Sequence, residues 1–157
     1  MARTPEIGVD LNDRALSEPW LDGLARRVAD RLDVDLPNVV GHGDWWSANI
    51  GWDMGALAAV DDWDSVVTLP EAAIVGSAAA LFHQGESTLE QTQLFLEAYA
   101  RVRGSLDDEA NREVAWAAGL WSRLVDAKKF LALGHHANGE RLRAEAAERA
   151  GRARVGH

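Results

Sequence analysis

Three polar side chains have a spacing that suits phosphoryl transfer. Four residues separate Asp44 from Asn49, and Asp62 follows a second short apolar run. Between two short strands, such a spacing allows the first carboxylate to accept a hydroxyl proton and the amide to ligate Mg²⁺. The later carboxylate can then hold the metal beneath a phosphate chain. The His-Gly-Asp turn at 42–44 is a weak signal alone, whereas the paired motif is much stronger.

These residues also have simpler structural interpretations. Asp44 could only cap a turn after glycine, and Asn49 could only be a strand-edge residue. The register of the three residues favours the chemical interpretation. Asp61 and Asp64 compete with Asp62 for a metal role. Carboxylates this close would raise one another's pKa unless a cation lies among them, so a solvated acidic turn remains the alternative for Asp61 and Asp64.

The ring-bearing residues around the motif have several interpretations. His42 is predicted to be a buried hydrogen-bonding residue that supports the turn rather than a metal ligand. Trp45, Trp46 and Trp63 flank the candidate carboxylates. They could line a pocket for an acceptor molecule, or they could cover a surface on which another lobe would pack. The sequence leaves both interpretations open.

A small β element is predicted to position these side chains. A short strand at 39–40 leads into the His-Gly-Asp turn, and residues 49–52 and 56–60 are predicted to form a hairpin. The returning strand of a hairpin ends beside the start of the outgoing strand. The three candidate site residues should therefore converge.

The rest of the chain is predicted to be mostly helical. Helical periodicity begins near Ser17, and a helix rich in small residues begins at Pro70. A capping box is predicted at 87–90, and the longest helix is predicted from Asp108 to about Leu133. The predicted fold class is α+β, mainly helical. Its predicted parts are an irregular lead-in at 1–16, the main domain at 17–134, and an exposed terminal helix or tail at 135–157.

Composition limits the classes of partner. The chain has 157 residues, a net charge of −9 and no cysteine. The acidity argues against nucleic acid or an anionic membrane as partner, since both attract basic surfaces. It would suit a cationic small molecule, or it could simply keep the protein soluble. No apolar stretch approaches the roughly 20 residues that span a bilayer, and the N-terminus does not read as a signal peptide, so we expect a cytoplasmic protein.

The motif resembles a known family. The run from His42 through Asn49, the hairpin and Asp62-Trp63 resemble the C-terminal lobe of the aminoglycoside phosphotransferase and choline kinase family. These are small-molecule kinases with a protein-kinase-like fold. Residues 95–99, Arg103-Gly104 and the long tryptophan-containing helix are similar to the helical ending of that family. The resemblance covers about residues 20–134.

The resemblance implies a role for each matched residue. Asp44 would be the catalytic base, and Asn49 and Asp62 would ligate the Mg²⁺ that bridges the phosphates of ATP. His42 would be structural support for the catalytic loop. The implied reaction transfers the γ-phosphate of ATP to a hydroxyl of a small substrate, cationic or aminoglycoside-like. Oxygen ligands of this kind suit Mg²⁺.

One part of the family pattern is missing. The 41 residues before His42 contain no Gly-x-Gly-x-x-Gly pattern, and the only lysines are Lys128 and Lys129. The N-terminal ATP-binding lobe is therefore expected to be lacking, and activity of this chain alone is in doubt. The predicted partner is then a separate N-terminal lobe. The alternative is a non-catalytic module that binds a small molecule or forms a homodimer. A carboxylate-metal hydrolase is a weaker third hypothesis, because it would need more His and Asp ligands.

Overall fold

The computed structural model describes residues 17–83 and 86–156, which form four strands and five α-helices. The predicted lead-in at 1–16 lies outside these residues. The elements, in chain order, are α1 (Pro19–Leu32), β1 (Asn38–His42), β2 (Ile50–Asp53), β3 (Ala56–Val60), β4 (Val66–Pro70), α2 (Glu71–Leu81), α3 (Leu89–Arg103), α4 (Glu109–Ala132) and α5 (His136–Arg152). The predicted α+β, mainly helical class is confirmed.

The strands form two separate antiparallel pairs. β2 and β3 make the predicted hairpin, with a register shift between Gly51 and Trp52. β1 pairs with β4, so that His42 lies opposite Val66. The prediction of helix throughout the region beyond Asp64 missed β4. Its β-branched residues favour a strand, and the open edge of β1 supplies the backbone hydrogen bonds that a lone strand would lack.

The centre of the helical core is a close approach of α2 to α4. A Cβ atom added to Gly76 would overlap the carbonyl oxygen of Ala115, and one added to Gly119 would lie 2.9 Å from the carbonyl oxygen of Gly76. The hydroxyl groups of Ser77 and Ser122 hydrogen bond at 2.8 Å across the same contact. Small side chains thus allow the two helix backbones to touch, as the Ala-rich composition predicted.

The exposed terminal helix predicted at 135–157 is instead packed into the core. Leu142, Ala146 and Ala150 of α5 are buried, as is Val155 beyond it. The sequence pattern does not predict this buried face of α5, because three of its positions are alanine or glycine, which give little hydrophobic signal. A neighbouring side chain explains the glycine at 139, since a Cβ atom there would lie 2.7 Å from the Cδ2 atom of Leu131.

A buried charge network fastens α5. Arg149 is fully buried, and its Nη2 donates to the carbonyl oxygen of Ser87 at 2.8 Å. Its Nε lies 2.5 Å from Glu145, and it also donates to Thr92 of α3. Burial lowers the pKa of Arg149, and the negative charge of Glu145 opposes that shift. Arg123 of α4 contacts the same Glu145 carboxylate at 3.4 Å.

Several helix boundaries and faces differ from the sequence interpretation. The capping box before α3 is made by Thr88 and Gln91 rather than by residues starting at Ser87. Helical spacing predicts that Val102 of α3 and Trp121 of α4 face the core, but both side chains are exposed. α3 buries the stripe through Thr92 and Leu96, so Val102 lies away from that face.

The close helix contact predicts a strong effect of one methyl group. Replacing Gly76 by alanine should lower the free energy of unfolding by about 1–3 kcal/mol, because the helices must separate to admit it. Gly23→Ala in α1 is the control, since its Cβ would meet only the end of Arg27. That control should stabilise the protein by up to about 1 kcal/mol through helix propensity. Urea unfolding of both variants tests this; equal midpoints would contradict it.

The charge network predicts a large cost for truncating Arg149. Arg149→Ala should lower the unfolding free energy by about 3–5 kcal/mol, because Glu145 and the Ser87 carbonyl lose a buried partner. Arg101→Ala removes an exposed arginine from α3 and should change it by no more than about 0.5 kcal/mol. Thermal unfolding followed by circular dichroism compares the two. Equal losses of unfolding free energy in the two variants would mean that the charge network does not stabilise the protein.

Candidate functional site

His42 joins the two halves of the candidate site. Its Nδ1 accepts a hydrogen bond from the backbone N–H of Asp44 at 3.2 Å, which places the proton of the neutral ring on Nε2. Nε2 then donates to the carbonyl oxygen of Asp61 at 2.9 Å. The ring is buried. His42 therefore ties the His-Gly-Asp turn to the acidic turn after β3, in the place predicted for a supporting residue.

Asn49 holds Asp44 directly. The side-chain amide nitrogen of Asn49 donates to the Asp44 carbonyl oxygen at 2.9 Å and to its carboxylate at 3.1 Å. The short helical turn Ser47–Asn49 brings the two residues together, and Asn49 is buried. Both bonds use the nitrogen atom. The amide oxygen of Asn49 is therefore the atom that could ligate a metal.

The hairpin brings the second acidic segment beside this pair. The backbone N–H of Asp61 donates to the carbonyl oxygen of Asn49 at 2.9 Å, which extends the β2–β3 ladder by one bond. Asp62 follows with a left-handed backbone, at φ 65° and ψ 43°. Few residues other than glycine, asparagine and aspartate adopt this conformation readily. It turns the chain sharply into the short helix Trp63–Ser65.

The carboxylates at this end of the hairpin repel one another. The pKa of Asp62 is raised, chiefly by the negative charge of Asp64 and by a hydrogen bond shared with it. The charge of Asp44 raises the pKa further, while His42 opposes the shift. Asp44 and Asp62 are thus close enough to interact. Asp44 and Asn49 are in direct contact, and Asp62 follows Asp61 in the neighbouring turn; the chemical roles of the three residues stay predictions.

The donor set fits a weakly held divalent cation. Asn49 offers an amide oxygen, and Asp62 offers a solvent-exposed carboxylate whose repulsion from Asp64 a cation would relieve. Among residues 17–83 and 86–156, no three histidine or acidic side chains are grouped as a metal-binding cluster. Mg²⁺ commonly binds through one or two protein oxygens together with phosphate oxygens and water, so these residues fit that mode of binding.

Two of the three predicted pocket tryptophans line a cleft beside the turn. Trp45 and Trp63 each pack edge-on against the His42 ring, with centroids 6.0 and 5.2 Å away. They line a cleft of about 430 Å³, and Trp46 is not part of its lining. The indole N–H of Trp63 donates to the carbonyl oxygen of Val60 at 2.8 Å, which fixes the ring.

The sequence interpretation did not assign the far wall of this cleft. Ile74 of α2 and both Phe95 and Tyr99 of α3 complete it. Helical spacing predicts only that Phe95 and Tyr99 face the core, and the sequence gives no separate signal for Ile74. Nothing in their local pattern distinguishes a cleft wall from a core, because both require apolar side chains.

Comparison with known proteins adds no assignment. No protein-family model, curated protein or solved structure matches the chain. In the part of the chain that the structure describes, no helix combines the length and the apolar character needed to cross a membrane.

The repulsion within the acidic turn predicts a measurable titration. Asp64→Asn should lower the pKa of Asp62 towards its ordinary value, because it removes the largest cause of the upward shift. Adding Mg²⁺ to the unmutated chain should also lower the apparent pKa, since a cation favours the carboxylate. Carboxyl carbon shifts in NMR measure both effects, with Asp53→Asn on β2 as the control. An unchanged Asp62 titration in Asp64→Asn would contradict the electrostatic account.

Proposed function

We propose that this chain is the C-terminal lobe of a small-molecule phosphotransferase similar to the aminoglycoside phosphotransferase and choline kinase family. The observation that carries the proposal is the contact of the Asn49 amide with the Asp44 carboxylate, beside the Asp62 turn. Phosphoryl transfer needs little covalent chemistry from the protein. It needs a carboxylate near the attacking hydroxyl and oxygen ligands for the cation that neutralises the phosphates.

Each site residue has a separate task in this proposal. Asp44 accepts the proton of the substrate hydroxyl while the hydroxyl oxygen forms a bond to the γ-phosphorus of ATP. The bond between the γ-phosphorus and the bridging β-phosphate oxygen breaks at the same time, and ADP leaves. The amide nitrogen of Asn49 orients Asp44. The oxygens of Asn49 and Asp62 hold Mg²⁺, which when bound supplies positive charge beside the phosphates. His42 keeps the two turns at a fixed separation.

Catalysis on this proposal needs a nucleotide-binding lobe as well. No lysine precedes Lys128, so the first 41 residues offer no lysine to pair with the phosphates. On this proposal Asn49 and Asp62 would supply the metal ligands, and Asp44 would supply the base. We therefore expect weak binding of Mg²⁺–ATP by this half of the site and transfer only when such a lobe is present.

A second candidate function is a self-associating module without catalysis. The observation that favours it is a set of exposed apolar side chains on the strands: Val40, Trp52, Leu57, Val66 and Leu69. Exposed apolar surface of this kind often marks an interface. Sedimentation velocity over a range of concentrations separates the two candidates, because a homodimer indifferent to Mg²⁺–ATP would support the module and argue against the phosphotransferase.

The proposal predicts that one carboxylate matters most for nucleotide binding. Asp62→Asn should weaken Mg²⁺–ATP binding about tenfold or more, because a charged metal ligand is lost while asparagine still suits the left-handed backbone. Isothermal titration calorimetry measures this, with Asp53→Asn as a control of equal charge change. The absence of heat for the unmutated chain at millimolar nucleotide would rule out the half-site.

Asp44 should behave differently from Asp62. Asp44→Asn should leave Mg²⁺–ATP affinity within about threefold, because the base touches the substrate hydroxyl rather than the metal. With a nucleotide-binding lobe supplied, transfer should fall about 100-fold or more. Phosphate transfer from γ-labelled ATP measures the rate. Loss of nucleotide binding and transfer in equal measure would assign Asp44 to the metal instead.

A further inference from the structure

The cleft beside His42 is apolar along most of its wall. Its volume is about 430 Å³, and its lining includes Val40, Trp45, Trp63, Ile74, Phe95 and the ring of Tyr99. This volume lies within the usual range for small-molecule sites, which are mainly apolar with a few polar groups. His42 and Trp45 line the cleft and lie on either side of Asp44 in the sequence, so the cleft adjoins the candidate catalytic turn.

Three of the lining side chains that carry polar atoms, those of His42, Trp63 and Tyr99, already have hydrogen-bond partners within the protein. Both ring nitrogens of His42 are used by the backbone, and the indole N–H of Trp63 is bonded to Val60. The hydroxyl of Tyr99 donates to Glu71 at 2.6 Å. A polar or charged ligand group placed against these three side chains would lose its hydrogen bonds to water. It would gain none in return from these atoms, because they are already hydrogen bonded within the protein.

The carboxylate that accepts the Tyr99 hydroxyl hydrogen bond also has other partners. Glu71 accepts from Tyr99, from the Arg103 Nε at 3.0 Å and from the Ser105 hydroxyl. The hydrogen bond from Tyr99 and the charge of Arg103 lower the pKa of Glu71, so its negative charge is compensated locally. Glu71 is not part of the cleft lining. The lining thus contains no carboxylate that could form an ion pair with an ammonium group of a ligand.

We propose that this cleft binds an uncharged, aromatic or apolar small molecule that carries a hydroxyl group. On the proposed function, which this identification rests on, that molecule is the phosphate acceptor and its hydroxyl reaches towards Asp44. This differs from the cationic acceptor that the net charge of −9 suggested. The net charge of the protein affects how fast a charged ligand approaches. The residues that contact the bound ligand determine which class of ligand binds, so we infer the ligand class from the cleft lining.

The test compares probes of opposite character on the whole chain. 2-Naphthol is the uncharged aromatic hydroxyl, and choline and kanamycin are cationic hydroxyl compounds. Titrations followed by ¹H–¹⁵N NMR report the residues whose signals shift. Val40→Glu puts a carboxylate at an exposed position of the cleft wall, where folding tolerates it, and Leu57→Glu puts the same charge on β3 outside the cleft.

We expect 2-naphthol to shift the Trp45 and Trp63 indole signals and to bind at least about tenfold tighter than choline. Val40→Glu should weaken that binding about tenfold, whereas Leu57→Glu should leave it within about twofold. Tighter binding of choline or kanamycin to the cleft would overturn the proposal, as would unsaturable naphthol shifts spread over the surface.

The Mg²⁺–ATP titration separates this proposal from the function it rests on. Saturable naphthol binding without nucleotide binding would uphold the ligand class of the cleft and remove only its role as an acceptor site. Nucleotide binding abolished by Asp62→Asn, together with no naphthol binding, would uphold the phosphotransferase and overturn the uncharged acceptor.

Discussion

The contact between the backbones of α2 and α4 sets the position of everything else in this domain. At Gly76 and Gly119 the helices approach closely enough that one extra carbon would collide with main-chain atoms. Closely packed protein interiors have low compressibility, so α2 can occupy only one position relative to the core. β4 runs into α2 without a loop, and Gly41 of β1 packs against Ile74 of α2. The helical core thus fixes the strand that carries His42.

The site depends on backbone groups as much as on side chains. His42 links an N–H in one turn to a carbonyl in the other, and the backbone of Asn49 accepts from Asp61. These bonds hold two acidic turns together despite the repulsion among Asp44, Asp62 and Asp64. The left-handed conformation of Asp62 adds a further cost. Strain and like charge gathered at one exposed turn are typical of positions kept for a ligand.

The sequence predicted the features whose signals are local. The β2–β3 hairpin, the contact of Asp44 with Asn49 beside it and the small-residue helix from Pro70 all follow from periodicity or turn chemistry. β4 could not be predicted so easily, because a strand of five residues is defined by its partner β1. The burial of α5 was missed for a similar reason. Alanine and arginine carry no hydrophobic pattern, and only the tertiary structure shows Arg149 surrounded by Glu145, Thr92 and Ser87.

Because α5 packs against the other helices, the cooperative folding unit includes α5 and does not end at residue 134. Arg149 reaches the loop before α3 and α3 itself, Arg123 of α4 shares Glu145 with it, and Arg27 of α1 donates to the carbonyl oxygen of Val155. The hydrogen bond from Arg27 to Val155 joins residues 128 positions apart and thus connects the first helix to the C-terminal segment. Opening the last helix would break the buried hydrogen bonds of Arg149 to Ser87 and Thr92, together with part-buried contacts to α4 and α1, so we expect local opening there to approach the cost of global unfolding. The C-terminal segment therefore belongs to the cooperative core and is one of the last places where we expect amide hydrogens to exchange.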